Sequence, residues 1–270
     1  MEADATPPGQ DNDKERAGIQ SVEVGFALLD ALAAADGSMM LRDLAHAAGM
    51  SAAKAHRYLV SFQRLGLVAQ DLPSNRYDLG PAALRLGLAG LMRLDPVRLA
   101  RERLPQLAEE IGHALALAVW GNHGPTLVHW QDSHDSVTVN LRLGDVMPLL
   151  SSATGRCFAA WQNPAAMAPL LARELERARS AGYVGVPRTQ AELDALLAEV
   201  RERGMARVVD TLLQGVSGFC APVFDSSGHL VMGVVTLGAA AQFDADYEGP
   251  VGLALGAFAR QLSRDLGHPQ

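Results

Sequence analysis

Hydrophobic residues recur every three or four positions in the first part of the chain, which is the spacing of one face of an α-helix. Ser21 is placed to cap a first helix, and residues 36–38 (Asp-Gly-Ser) are typical of its end. The apolar positions of this helix are Val22, Phe26, Leu29, Leu32 and Ala33. A short second helix carries the stripe Leu41, Leu44, Ala45 and Ala48. Gly49 then supplies a turn, because glycine tolerates a positive φ.

A third helix, capped by Ser51, is expected to have two different faces. Its core-facing apolar residues are Ala55, Leu59, Phe62 and Leu65. Its polar residues fall roughly three positions apart on another face; they are Ser51, Lys54, Arg57, Ser61 and Arg64. Gly66 ends this helix, and residues 67–70 and 76–79 predict two strands of a β-hairpin wing around a turn. This order of elements is that of a winged helix-turn-helix, a fold that reads DNA.

The rest of the chain predicts a mixed domain of helices and strands. Residues 81–94 form an apolar helix, expected to act as a linker and to pack on a partner chain, and a second helix spans 97–111. The predicted strands are ALALAVW, TLVHW, VTVNLRL, ARVV, FCAPVF and LVMGVVTL. The predicted helices are SATGRCFAAW, AMAPLLARELERAR, AELDALLAEVRER and EGPVGLALGAFARQLSRDL. Because the two types interleave without strict βαβ order, we predict an α+β domain.

Composition excludes several classes of protein. The 270 residues are 49% hydrophobic, with no apolar run long enough for a membrane span and no apolar centre of a secretory signal. The two cysteines, Cys157 and Cys220, are too few for a disulfide framework, which fits a reducing cytoplasm. A net charge of -7 argues against nonspecific nucleic-acid binding by the whole surface. Residues 45–70, however, contain no acidic residue, so a local basic surface is expected.

The third helix and the wing carry the candidate DNA contacts. Lys54 and Arg57 can donate to guanine O6 and N7 or to phosphate, and Ser51 can bind a phosphate at the helix N-terminus. His56 points either to DNA or to the core. Asn75 and Arg76 of the wing would reach a phosphate or the minor groove. The alternative is that all of these are solvated surface residues, since exposed Lys and Arg are the rule.

Several segments resemble the IclR family of bacterial transcription regulators, over roughly residues 19–266. In the first half these are SVEVGFALLDALA, LRDLAHAAGMSAAKAHRYLVSFQRLGLV and NRYDLG. In the second half, GDVMPLLSSATGRCFAAW is similar to the family's strand-to-helix element, and GVSGFCAPVFDSSGHLVMGVVTLGA to its hairpin. RARSAGYVGV and RERGMARVVD occupy the region where relatives carry an Arg…Gly-Tyr segment. The order and spacing of the segments also agree.

The resemblance implies a GAF-like effector domain behind the DNA-binding domain, and homodimers that can pair into tetramers. It implies a repressor or activator of catabolic genes that binds double-stranded operator DNA and responds to a small-molecule effector. We therefore divide the chain into a disordered tail (1–18), a winged helix-turn-helix domain (19–80), a linker helix (81–96) and an effector-binding and oligomerisation domain (97–270). We expect no cofactor, no enzymatic activity and no membrane partner.

The candidate effector site centres on the segment SSATG. Ser151 or Ser152 caps a helix, Gly155 lets a ligand approach the backbone, and the free N–H groups of the first turn can hold a carboxylate. The alternative is a plain helix cap. The full set of expected contacts is Ser152, Ala153, Thr154, Gly155, Asp210, Gly218, Phe219, Cys220, Val235 and Leu237.

This sequence departs from its relatives at five positions that bear on the two sites. Val24 replaces a frequent Arg, Lys54 a frequent Thr or Ser, and Thr211 a frequent Glu. Val235 and Leu237 stand where some relatives have Ser. Because apolar surface replaces hydrogen-bonding groups there, we expect an effector larger and more apolar than a two- or three-carbon oxoacid, such as an aromatic acid or aldehyde.

Two other classes of function remain as alternatives. Ser51 and Lys54 match the S-x-x-K pattern of a Ser-Lys hydrolase, without the accompanying S-D-N and K-T-G motifs. A metal-responsive regulator would use the histidines of residues 113–134, which are His113, His123, His129 and His134, with Asp132 and Asp135 nearby. Their spacing matches no compact metal motif.

Overall fold

The computed structural model describes residues 18–133, 141–181 and 185–269. The chain divides into two compact units, with the boundary between Arg93 and Leu94. Except for Gly18, the predicted tail lies outside the described residues, as do His134, Asp135 and residues 137–140 of the predicted strand VTVNLRL.

The N-terminal unit is a three-helix core with a small antiparallel sheet and a following helix. Its elements are α1 Gln20–Ala34, β1 Met39–Met40, α2 Leu41–Ala47, α3 Ala52–Arg64, β2 Val68–Gln70, β3 Arg76–Leu79 and α4 Pro81–Leu91. The sheet has the order β1-β3-β2, with Met39 opposite Tyr77 and Val68 opposite Leu79. The predicted helices and the hairpin are therefore present, while the two-residue strand β1 is an addition.

The core of this unit is built from one face of each of the first three helices. Leu28, Leu44, Ala55 and Leu59 have no exposed surface. In α1 the buried face is Gly25, Leu28 and Leu32. Tyr58 and Phe62 of α3 pack directly against Gly25 and occupy the space that a side chain there would need.

Three sequence predictions in this unit are wrong. Ser21 is not a cap, because α1 already begins at Gln20 and the N-cap position, Ile19, makes no side-chain cap. Val22 and Phe26 are 63% and 54% exposed, because the buried face runs through Gly25, which a hydrophobicity pattern cannot identify. Leu65 is 65% exposed because it is the C-cap of α3 and lies past the last turn that packs.

The C-terminal unit is a five-stranded antiparallel sheet with helices on both faces. Its elements are α5 Pro96–Ile111, β4 Ala114–Gly121, β5 Gly124–Gln131, α6 Ala153–Trp161, α7 Pro164–Ala181, α8 Gln190–Arg203, β6 Ala206–Val209, β7 Val216–Phe224, β8 Leu230–Ala239 and α9 Pro250–Asp265. The strand order is β5-β4-β8-β7-β6. The part of VTVNLRL that the structure describes, residues 141–143, is coil and turn and not the predicted strand.

Two hydrophobic cores lie on opposite faces of this sheet. One packs against α6 and includes Cys157, Phe158, Cys220 and Val235. The other packs against α5 and α9 and includes Phe219, Val234 and Leu255. Because side chains alternate along a strand, neighbours such as Phe219 and Cys220 belong to different cores.

Both cysteines, Cys157 of α6 and Cys220 of β7, lie in the same core and have no exposed surface. Burial, together with the neighbouring Cys220 thiol, raises the pKa of Cys157 well above its ordinary value. Within the described residues, no helix has the length and apolarity required to span a membrane.

Candidate DNA-binding helix and ligand pocket

Helix α3 is held by its apolar face and presents its cations on the opposite side. The Ser51 hydroxyl caps it by accepting a hydrogen bond from the Lys54 N–H at 3.4 Å. At about 100° per residue, Arg57 lies opposite the buried pair Ala55 and Leu59. Lys54, Ser61 and Arg64 lie within about 60° of Arg57 on the same reckoning. The sequence therefore builds one cationic ridge on a helix that is otherwise anchored in the core.

The predicted contacts of this helix are accessible. Ser51, His56, Arg57, Ser61 and Arg64 are exposed, and Lys54 is half-buried. His56 is exposed and does not enter the core. It lies about 100° around the helix from Arg57, to one side of the cationic ridge. The Ser61 hydroxyl donates to the Arg57 carbonyl at 3.4 Å, so its oxygen remains available as an acceptor.

The wing residues have structural roles as well as exposed positions. Asn75 has a φ of 55°, the left-handed conformation that a tight turn requires at this point. The Arg76 guanidinium donates from Nη1 to the carbonyl of Ser38 at 2.8 Å, which fastens β3 to the segment before β1. Its other N–H groups remain available for a phosphate.

In the C-terminal unit, a small apolar pocket of about 50 Å³ lies beside the N-terminus of α6. Five predicted contacts line it: Ser152, Ala153, Gly218, Val235 and Leu237. Most other lining residues are apolar and come from the sheet and from the loop between β6 and β7; they include Trp130, Met147, Leu212 and Leu213. We refer to this cavity as the inner pocket.

The polar end of the inner pocket is the first turn of α6. Ser152 is 2% exposed; its Oγ accepts from the Gly155 N–H at 2.8 Å, and its hydroxyl donates to the Pro148 carbonyl at 2.7 Å. The N–H groups of Ala153 and Thr154 form no hydrogen bond with any described residue. Of the two residues, Ala153 lines the pocket, and a free donor at a helix N-terminus can bind a carboxylate.

Five predicted contacts do not line this pocket. Phe219 faces the other core, where its ring packs on Phe243 at 5.6 Å, and Cys220 lies deeper beside Cys157. Asp210 is exposed, has a φ of 50°, and accepts from the Gly215 N–H at 2.6 Å, so it shapes the turn before β7. Thr154 is buried elsewhere.

Gly155 is the fifth of these residues, and it serves the protein rather than a ligand. A Cβ at this position would lie 1.9 Å from the Pro148 carbonyl oxygen and 2.5 Å from the Leu149 Cα. The backbone that approaches Gly155 closely is therefore the chain's own. This approach lets the Ser152 hydroxyl reach Pro148.

Arg156 is a buried cation that sequence reasoning did not single out. It is 6% exposed, and its guanidinium donates to three carbonyls: Leu150 (2.8 Å), Arg207 (2.9 Å) and Gly185 (2.6 Å). Burial lowers the pKa of Arg156 to about 10, so the group stays charged at neutral pH. Its hydrogen bonds connect α6 to Leu150 in the preceding segment, to Arg207 of the edge strand β6, and to Gly185 of what we call the 185 segment.

Sequence reasoning also missed Trp130, Met147, Leu212 and Leu213. Their apolar character is typical of any core, and only the folding of β5 and two loops onto α6 brings them to one cavity. The sequence contains no local signal that distinguishes them from core residues.

Comparisons with known proteins identify the family. Residues 89–264 match the C-terminal domain of the bacterial transcriptional regulator IclR, and residues 21–72 match the IclR helix-turn-helix domain. The chain belongs to the IclR family. Its members are DNA-binding transcriptional regulators that respond to ligands.

Relatives align along nearly the whole chain. The glycerol operon regulatory protein of Streptomyces coelicolor is 32% identical over 92% of this chain and 97% of that protein. The transcriptional regulator KdgR of Escherichia coli is 26% identical over 96% of this chain and 97% of that protein. The crystal structure of HmgR from Pseudomonas aeruginosa matches with a TM-score of 0.84 and 37% identity, over 93% of this chain and 99% of that one.

Neither alternative function gains support in this IclR-family chain. In the described part of the chain, no three His, Cys, Asp or Glu side chains come together as metal ligands. His113 packs against Phe243, with ring centroids 4.9 Å apart. The side chain of Ser51 caps α3, which accounts for a serine at this position without catalysis.

Proposed function

We propose that this protein regulates a catabolic operon by binding operator DNA through α3, and that a small organic acid in the inner pocket controls the binding. The observation that carries the proposal is the cationic ridge of half-buried Lys54 and exposed Arg57 and Arg64 on a helix without acidic residues. One relative, the glycerol operon regulatory protein of Streptomyces coelicolor, bears a name that is consistent with control of a catabolic operon.

In the proposed complex α3 lies in the major groove with Arg57 facing the bases. A guanidinium opposite the buried face projects furthest from the domain and can bond guanine O6 and N7 together. Lys54 and Arg64 flank it and reach bases or phosphates, while Ser51 places the helix N-terminus against a phosphate. Asn75 and Arg76 contact the backbone or the minor groove beside this site.

A gel shift with DNA fragments from the gene's own upstream region tests this activity. Specific binding that survives excess competitor DNA supports the proposal, and its loss with rising salt is expected from phosphate contacts. Binding that is equally strong to any fragment would overturn it.

For the effector, we propose a carboxylic acid with an apolar, preferably aromatic, body. Its carboxylate accepts from the N–H group of Ala153, and its body packs on Trp130, Val235 and Leu237. The inner pocket measures only about 50 Å³, whereas typical ligand pockets hold about 300–1,000 Å³. Binding therefore displaces half-buried wall residues such as Leu212 and Leu213, and this movement is the proposed signal.

Calorimetry with a panel of four acids tests the effector class. Benzoate and phenylacetate are expected to bind more tightly than glyoxylate and pyruvate, because Val235 and Leu237 offer apolar surface and no hydrogen bonds. A preference for the two small oxoacids would contradict the proposal. If the acid that binds more tightly weakens or strengthens binding of the operator fragment, the pocket is linked to regulation.

We further propose that the protein acts as a homodimer. The residues of helix α4 are apolar except for the exposed Arg85, and Leu84, Leu86 and, at its C-cap, Met92 are 64%, 66% and 86% exposed in the single chain. Apolar surface of this extent on one helix is typical of a surface that packs on a second copy. Two copies of α3 would then read two half-sites of one operator.

A further inference from the structure

A second and larger cavity lies directly against the inner pocket. It measures about 490 Å³ and is bounded by residues 123–125, the segment 146–151 and one face of α7. We call it the outer cavity. Met147 and Leu212 line both cavities, so the two cavities adjoin at these side chains.

The outer cavity carries an excess of positive charge. Arg173 and Arg177 lie one turn apart on α7, both are exposed, and neither has a hydrogen bond or an ion pair with any described residue. The carboxylate of Glu174 lines the same cavity, but its two oxygens accept from the N–H groups of Leu149 (2.9 Å) and Leu150 (3.0 Å). The Glu174 carboxylate is thus bound by backbone N–H groups and pairs with neither guanidinium, so those of Arg173 and Arg177 face the cavity.

The N-terminus of α6 lies at the boundary between the two cavities. Ser151 lines the outer cavity, whereas Ser152 and Ala153 line the inner pocket. An anion that passes Met147 and Leu212 would arrive at the free N–H groups of the first turn. The positive charges and the helix terminus therefore form a continuous path for a carboxylate.

We infer that the outer cavity is the entrance to the inner pocket, and that Arg173 and Arg177 attract the anionic effector into it. This inference rests on the proposed effector site. A cleft lined by charge of one sign raises the local concentration of a counter-charged ligand and so its association rate. Met147 and Leu212 form the gate that the ligand displaces.

Rates of ligand binding test the role of the arginines. Fluorescence of Trp130, which lines the inner pocket, reports binding in a background where Trp120 and Trp161 are replaced by Phe. The ligand is the acid of the four-member panel that binds most tightly. At low salt, Arg173→Gln and Arg177→Gln should each lower the association rate constant about threefold, and the double variant about tenfold. The dissociation rate constant should stay unchanged.

Arg179→Gln is the matched control, because it removes one positive charge from the same helix outside the outer cavity. Arg179 pairs with Glu176 at 3.2 Å and donates to the Arg188 carbonyl at 2.7 Å. It should leave the association rate nearly unchanged. At about 0.5 M salt the effect of the cavity arginines should disappear, because charges are then screened within a few ångströms. The uncharged amide of the same acid should show no dependence on Arg173 or Arg177.

Met147→Ala tests the gate independently of charge. A thinner wall should raise the association and dissociation rate constants together, with thermal melting as the check on folding. An unchanged association rate in the double arginine variant, or an equal fall in Arg179→Gln, would overturn the entrance while leaving acid binding in the inner pocket intact. Absence of saturable binding by every acid of the panel would overturn the proposed effector and the entrance together.

Discussion

Arg57 is the residue on which specific DNA recognition is expected to depend most. Arg57→Ala should abolish specific operator binding, since each lost bidentate base contact costs about 1–3 kcal/mol per half-site. Ligand affinity should stay nearly intact, because the inner pocket belongs to the other unit. Gel shifts and calorimetry on the same preparation measure the two effects, with Arg98→Ala in the C-terminal unit as a charge-matched control. Unaltered operator binding would mean that α3 presents a different face to DNA.

A substitution at Gly155 tests the close packing of α6 against the segment before it, beside the inner pocket. Gly155→Ala places a Cβ 1.9 Å from the Pro148 carbonyl oxygen, so the start of α6 must move away from the 148–149 backbone. We expect a loss of about 2–4 kcal/mol of unfolding free energy and weaker acid binding, measured by urea unfolding and calorimetry.

Gly37→Ala is the control, because Gly37 lies outside the proposed dimer helix and a Cβ there would meet nothing within 4 Å. It should be neutral or stabilise the protein by about 0.5–1 kcal/mol. Equal behaviour of the two variants would contradict the close packing described for α6.

Among the elements, α6, β6 and the 185 segment depend on one buried guanidinium. Arg156→Met would leave the carbonyls of Leu150, Gly185 and Arg207 without this donor, so we expect a loss of about 3 kcal/mol or more. Arg156→Lys keeps the charge but cannot satisfy all three carbonyls from a single ammonium, and it should fall between the wild type and Arg156→Met. Urea unfolding of the three proteins tests this order; a lysine variant as unstable as the methionine variant would show that charge contributes nothing.

Elements whose signals are local could be predicted from the sequence. The stripe of α2, the positive-φ turn at Gly49 and the Ser51 cap each depend on a few neighbouring residues, and the structure contains all three. Strand β1 could not be predicted, because its two residues are a strand only through pairing with Tyr77 and Arg76. The buried face of α1 was missed because it includes Gly25, which carries no apolar side chain.

The inner pocket was predictable in part for a related reason. Ser152 and Ala153 could be found because a helix cap is a local motif. Val235 and Leu237 could be placed beside them only through the family resemblance. Phe219 was misplaced because the side of a strand that faces a cavity depends on the register of the sheet, here Phe219 opposite Thr236 and Gly218 opposite Leu237.

At the scale of the whole molecule, the exposed apolar residues of α4 predict that this helix forms the dimer interface, which a measurement of the oligomeric state can test. Leu84→Glu together with Leu88→Glu puts charge on residues that are 64% and 49% exposed in the single chain. We expect loss of the dimer in sedimentation experiments and a large fall in operator affinity, with the fold retained by circular dichroism. The exposed leucine of the wing, Leu72→Glu, is the control and should leave the dimer intact. A dimer that survives the double substitution would place the interface elsewhere.

Because the thiols of Cys157 and Cys220 are fully buried, their rate of modification measures how much a bound effector stabilises the C-terminal unit against opening. Cys157, on α6, and Cys220, on β7, are the only cysteines of the chain, and neither has any exposed surface. A maleimide can therefore modify the protein only while the C-terminal unit is transiently open. An acid supplied at about a hundred times its dissociation constant should slow this modification about 100-fold. Labelling kinetics would thus rank candidate effectors without any DNA present.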